Sequence, residues 1–200
     1  MSDFKIYSSR FFSCFKRMDN VNYNFDLAKH LILASISYKP DDDDYQREYF
    51  YKPAIIIMIS IVECILYDFL IKIQTHTYEG VPNLTQKDLD SIREINIPNV
   101  LASFNEICKK HELLGKKNDP IYEIIRLFSN IRNRIHIQNT KREKPFDEFD
   151  LWTIPLVKEC GKLLKDICGI MCDKYPRPKH MHVTYAIPRD VSFPEPWRNI

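Results

Sequence analysis

The sequence predicts an all-α bundle, on three observations. Apolar residues recur at spacings of three and four through most of the 200 residues, glycine occurs only four times, and proline stands where helices should start or stop. Tight hairpins and phosphate-cradling loops need glycine, so β-rich and P-loop architectures are disfavoured. Hydrophobic residues make up 44% and charged residues 28% of the chain, which is globular composition and excludes general disorder. This length fits one large core.

Residues 1–22 mix aromatics with basic residues and lack a clean period, so this segment is expected to be weakly structured, with Phe11, Phe12 and Phe15 offering at most a short helical face. A bundle is expected over 23–174. Its first helix, 23–38, carries Phe25, Leu27, Leu31, Ile32 and Ile36, and Pro40 with the acidic run Asp41 to Asp44 ends it. The longest helix, 46–74, has Pro53 near its start and is apolar on nearly every side from 54 to 73, which suits the centre of a bundle. Residues 78–99 read as a loop around a short helix at 86–94, because Gly80, Pro82 and Pro98 interrupt the pattern. Pro98 opens the next helix and Gly115 closes it after Leu114. Asp119 followed by Pro120 is a cap-then-proline start for a helix whose apolar face is Ile121, Ile124, Ile125, Phe128, Ile131 and Ile135. A polar, basic loop at 138–150 leads to a last helix at 155–174. The final segment, 175–200, holds five prolines and is expected to be an extended tail packed on the bundle or on a dimer mate.

A formal charge of +2 does not by itself imply nucleic acid, so any such argument rests on where the charges lie. The N-terminus carries Asp3 and Lys5 and has no apolar signal region. The six cysteines are therefore expected to be reduced, mostly buried thiols of a cytoplasmic protein. The 54–73 stretch has the length of a membrane span, but Glu63 sits in its middle, and a central carboxylate costs about 2.5–3.5 kcal/mol on insertion scales. With Asp68 and Lys72 nearby, no membrane partner is expected.

The most informative residues are Asn130-Ile131-Arg132-Asn133-Arg134-Ile135-His136-Ile137-Gln138-Asn139. On one continuous helix, Arg132 and His136 would share a face one turn apart while Ile131 and Ile135 turn elsewhere. An arginine can neutralise a phosphodiester while an imidazole moves a proton near neutral pH, a pairing suited to RNA cleavage without a metal. Asn133 could hold the imidazole or the phosphate by hydrogen bonding. From Arg126 to Lys144 the basic residues Arg126, Arg132, Arg134, Lys141, Arg142 and Lys144 face one acid, Glu143, a local surplus suited to an RNA backbone, with Gln138 and Asn139 as further RNA contacts. The same run also reads as basic residues complementing a helix C-terminus, with His136 a half-buried packing residue.

Arg132-Asn133-Arg134-Ile135-His136, preceded by an isoleucine-rich helix, resembles the signature of HEPN domains, and Ile61-Val62-Glu63-Cys64-Ile65-Leu66-Tyr67 resembles their companion helix with its acidic residue. The likeness covers about residues 51–174. It implies a helical bundle that dimerises so that two motifs meet, and a metal-independent endoribonuclease of toxin, phage-defence or RNA-surveillance type, or an inactive descendant that binds RNA, a nucleotide or a partner protein. A cognate antitoxin or defence-complex protein is implied as a possible partner. Carried over by position, Arg132 stabilises the scissile phosphate, Asn133 positions groups, His136 serves as general acid or base, and Glu63 pairs with Arg132 or Arg134 to fix its rotamer. The family's motif separates Arg from His by four to six residues, and here the gap is three, which turns His136 back about 100° around a helix relative to a four-residue gap.

Other chemistry is less well supported. Cys168 and Cys172 with His180 and His182 could be drawn as a zinc site, but a mid-helix pair lacks the turn spacing of structural zinc, so no metal or cofactor is expected. Glycine-rich phosphate loops and nucleophile elbows are absent from the sequence.

Overall fold

The structure is a computed structural model that describes residues 3–6, 18–37, 48–75, 81–134, 148–176 and 191–194. In chain order these form strand β1 (Asp3–Ile6), helices α1 (Met18–Ser37), α2 (Glu48–Thr75), α3 (Gln86–Arg93), α4 (Leu101–Lys110), α5 (Pro120–Asn133), α6 (Glu148–Leu151) and α7 (Ile154–Asp173), and strand β2 (Val191–Pro194). The described chain is mostly helical. Strands β1 and β2 make one antiparallel ribbon in which Phe4 stands opposite Phe193 and Ile6 opposite Val191. Pro194 falls at the strand end, where its missing N–H costs no interior ladder bond. The ribbon rests on the bundle, β2 beside α1 and β1 beside α7.

Helix α2 is the axis. At 28 residues it is roughly 42 Å long, and α1, α3, α4, α5 and α7 all pack on it. Its apolar residues cannot be confined to one stripe, and burial follows: Ile55, Met58, Val62, Ile65, Leu66, Phe69, Leu70 and Ile73 are all removed from solvent. Burying each such side chain stabilises by about 1.5–3 kcal/mol relative to exposure. By length and composition the helix could cross a membrane, yet 61% of its most apolar window is buried inside the bundle by these neighbours. Pro53 lies in the second turn, where it removes the bond an N–H would give to the Tyr49 carbonyl.

The flanking helices present narrower faces. In α1, Val21, Phe25, Ala28 and Ile32 recur at spacings of four and three and lie buried, and α7 does the same with Val157, Cys160, Leu164, Ile167 and Met171. Helix α3 starts in a capping box, with the Thr85 hydroxyl accepting from Asp88 N–H at 3.2 Å and Asp88 accepting from Thr85 N–H. The Gln74 side chain then donates to the carbonyl of Ile95 at 2.6 Å, tying α2 to the end of α3.

Three helices differ in their bounds from the sequence reading. Helix α1 begins at Met18, inside the segment expected to be weakly structured, because Val21 and Phe25 already belong to the face buried on α2. Helix α4 starts at Leu101 and stops at Lys110, ahead of Gly115. The stop is a Schellman closure in which Leu113 N–H reaches Cys108 O at 2.8 Å and Glu112 N–H reaches Lys109 O at 3.3 Å, with Glu112 itself in the left-handed region at φ 52°. Gly115 serves a different purpose: a Cβ there would come within 2.5 Å of the Asp119 carboxylate. Helix α5 ends at Asn133, and Arg134 closes it through a 3.0 Å bond from its N–H to Ile131 O.

Candidate functional site

The charged centre of the fold lies where α2, α4 and α5 meet. Glu63 interrupts the apolar course of α2, and its carboxylate takes a guanidinium N–H of Arg132, on the last turn of α5, at 2.8 Å. The backbone N–H of Leu101 at the start of α4 donates to the same carboxylate. One turn further along, Tyr67 of α2 packs on Phe104 of α4 with ring centroids 5.5 Å apart, so the two helices are aligned by a polar and an aromatic contact in succession. Helix α4 needs the first of these, since its cap residue Val100 has no side-chain acceptor for the unpaired N–H groups of a helix start. Glu63 supplies that acceptor from another helix.

The electrostatics of the pair are unequal. Burial pushes the Glu63 carboxyl above its ordinary value, and Arg132 and the Leu101 N–H offset only part of that push. The Glu63 side chain is 15% exposed and that of Arg132 34%. Among the described residues Arg132 meets Glu63 through one nitrogen of its fork. A guanidinium held at one nitrogen and about a third exposed is able to receive an anion.

The other residues singled out by sequence divide into four groups. Asn133 is the exposed last residue of α5, next to Arg132. Arg134 is only 4% exposed, so an RNA backbone would not reach its charge in this arrangement. Arg126 is exposed but held by Glu123 at 2.8 Å, and Lys109 reaches the same carboxylate at 3.3 Å, which drives the Glu123 carboxyl below its usual value. That exposed cluster spends part of the basic surplus locally and adds little stability. His136, Gln138, Asn139, Lys141, Arg142 and Lys144 lie outside the described residues. Helix α5 ends at Asn133, where the Arg134 N–H turns back to Ile131 O and the α-helical ladder stops, and the expected common face of Arg132 and His136 falls on a residue outside the described ones.

Sequence reading missed the contribution of α4. The signal was available in principle, since Val100-Leu101 opens a helix without a Ser, Thr, Asp or Asn cap and therefore needs an acceptor from outside. It did not say which carboxylate would arrive.

A thiol centre is disfavoured. Burial pushes Cys108 up to about 12 and Cys160 well above the ordinary thiol range, and both are buried. Cys168 and Cys172 are not joined in a disulfide, and among the described residues no group of three or more His, Cys, Asp or Glu side chains is arranged to hold a metal ion. His180 and His182 lie outside the described residues. Comparison with family models, curated proteins and solved structures finds no match to this chain.

Proposed function

We propose that the chain is a HEPN-like helical domain that cleaves RNA without a metal, as a cytoplasmic homodimer of the toxin or phage-defence kind. The observation that carries the reading is the Arg132–Glu63 pair, in which an interior carboxylate anchored on a helix start holds a guanidinium at the surface end of α5. Such an arrangement suits a phosphodiester, because a fixed guanidinium meets the charge that builds on the nonbridging oxygens. In the proposed reaction the 2′-hydroxyl of the RNA attacks the adjacent phosphorus as the bond to the 5′-oxygen breaks. The products are a 2′,3′-cyclic phosphate and a 5′-hydroxyl. His136 transfers the proton, a contribution of about 10²–10⁴ in rate, and Asn133 orients the reacting groups. DNA lacks the nucleophile and should be inert. A cognate antitoxin or a defence-complex protein is the protein partner this reading implies.

A second reading has its own support. Three residues separate Arg132 from His136 where the resembled motif has four to six, and this favours a catalytically silent domain that binds RNA, a nucleotide or a protein at the same corner. One experiment separates the two. Purified protein is incubated with mixed cellular RNA in EDTA, and fragment ends are compared for wild type, Arg132→Ala and His136→Ala. Cyclic-phosphate ends that vanish in both variants establish the nuclease, whereas intact RNA with retained RNA binding establishes the silent domain.

A further inference from the structure

We propose that Glu63 is a pH-sensitive latch on Arg132, pinning the guanidinium when ionised and releasing it when protonated. The inference deepens the nuclease reading by giving its arginine a means of regulation, but the latch itself rests on geometry. Three features of that geometry matter. The contact is a single 2.8 Å bond from one nitrogen of the fork, so one protonation event removes the attraction that holds it. The guanidinium is about a third exposed, so on release it finds water immediately and leaves no buried unpaired charge. The carboxyl keeps a partner in either state, because the Leu101 N–H can donate to a neutral carboxyl oxygen as it does to a carboxylate.

The groups that face Glu63 are few. From α5 the charged group is Arg132, and from α4 the polar group is the Leu101 N–H. Among the described residues these are its partners, and no titratable side chain of α1, α3 or α7 acts on it. Burial outweighs both partners and moves the proton's release toward neutrality, above the ordinary value of 4.5. A guanidinium does not give up its proton in the range where a carboxyl titrates, so the switch lies in the carboxyl. A buried arginine–carboxylate pair closed by a second hydrogen bond on each side would not behave this way, since neither charge could leave.

The test is a side-chain nuclear magnetic resonance titration of the full chain with labelled arginine and glutamate. The expected result is that the Glu63 carboxyl and the Arg132 Nε signal move together, with one midpoint above 4.5. In Glu63→Gln the Arg132 signal should be flat with pH and lie at the acidic end point of the wild type. An Arg132 signal that is flat in the wild type, or a Glu63 midpoint at or below 4.5, overturns the latch. The wild-type titration decides the matter even if the variant folds poorly. Cleavage measured in parallel keeps the two proposals distinct: a co-titrating pair without cleavage retains the latch and sinks the nuclease, while cleavage without co-titration does the reverse. With both present, the acidic limb of kcat should follow the Glu63 midpoint and disappear in Glu63→Gln.

Discussion

The two ends of α5 are built on opposite principles. At the N-terminal end Asp119 caps the helix by accepting from Ile121 N–H at 3.0 Å, and the Tyr122 hydroxyl accepts from the N–H groups of Leu114 and Gly115 while donating to Gly115 O at 2.8 Å. Around the same turn Lys174 donates to the carbonyls of Glu112 and Leu113, and the Tyr175 hydroxyl donates to Leu113 O. Nearly every polar group there is spent on backbone, and the phenols are driven up by burial, Tyr175 beyond the usual range for its kind. At the C-terminal end Arg132 is held by one bond, and its partner carboxylate is costly to ionise where it lies. Hydrogen bonds saturated by backbone partners stabilise a fold and leave little available for a ligand. A partly buried ion pair adds little net stability, since desolvation consumes the attraction, but keeps a charge in place for one.

The contrast is broken most strongly by two substitutions with opposite readouts. Tyr122→Phe removes the hydroxyl that serves Leu114 N–H, Gly115 N–H and Gly115 O, leaving buried groups unpaired at about 1–3 kcal/mol each. The expected loss of stability is about 2–4 kcal/mol, read from denaturant midpoints, with any activity per folded molecule unchanged. Under the proposed function Arg132→Ala should abolish cleavage, and it should move the midpoint little at acidic pH, where the Glu63 carboxyl is protonated and needs no counter-charge. A Tyr122→Phe protein as stable as wild type would show that the hydroxyl network is incidental.

Next in size is Gly115→Ala. The added Cβ would stand 2.5 Å from Asp119 Oδ2 and 2.9 Å from its Cγ, and the cap on α5 would have to shift to admit it. Forcing a methyl group into a packed site costs about 1–3 kcal/mol. A neutral outcome in thermal or chemical denaturation would mean that the Asp119 cap moves freely. Thr85→Ala, away from both ends of α5, removes one half of the α3 capping box and should cost about 1 kcal/mol, which calibrates the other two against an ordinary cap.

How much of this was legible in the sequence depends on how local the cause is. The start of α5 was legible from Asp119-Pro120 alone, and the central role of α2 from its unbroken apolar course, because capping and burial are written within a few residues. The end of α4 was misplaced because its stop is conformational: Glu112 takes the left-handed backbone that Gly115 was expected to supply, and the closure is helped by Lys174, which lies far along the chain. The β1–β2 ribbon was illegible for the same reason, since Asp3–Ile6 finds its partner at Val191–Pro194 and four residues carry no period of their own. At the candidate site the motif drew attention to Arg132 and Glu63, and their pairing is present. What the sequence left open was the third participant, the start of α4, and the point at which α5 closes.

The smallest expected effect is a change of slope, and it sharpens the comparison by sign. Glu63 has its folded pKa raised by burial, so its contribution to stability is present below 4.5 and is lost as pH rises through the folded value. His111, at the end of α4 beside the Tyr122 network, has its pKa lowered, first by burial and then by Lys110, against the pull of Asp88, and among the described residues its buried Nε2 has no hydrogen-bond partner. Its contribution is therefore present above 6.5 and is lost as pH falls through the folded value. Denaturant midpoints across the acid-to-neutral range should show Glu63→Gln gaining on the wild type as pH rises, and His111→Gln gaining on it as pH falls. Parallel curves for either variant would remove that residue from the pH dependence. Slopes of one shared sign would mean that the two corners differ in charge alone, not in how burial sets the proton's affinity.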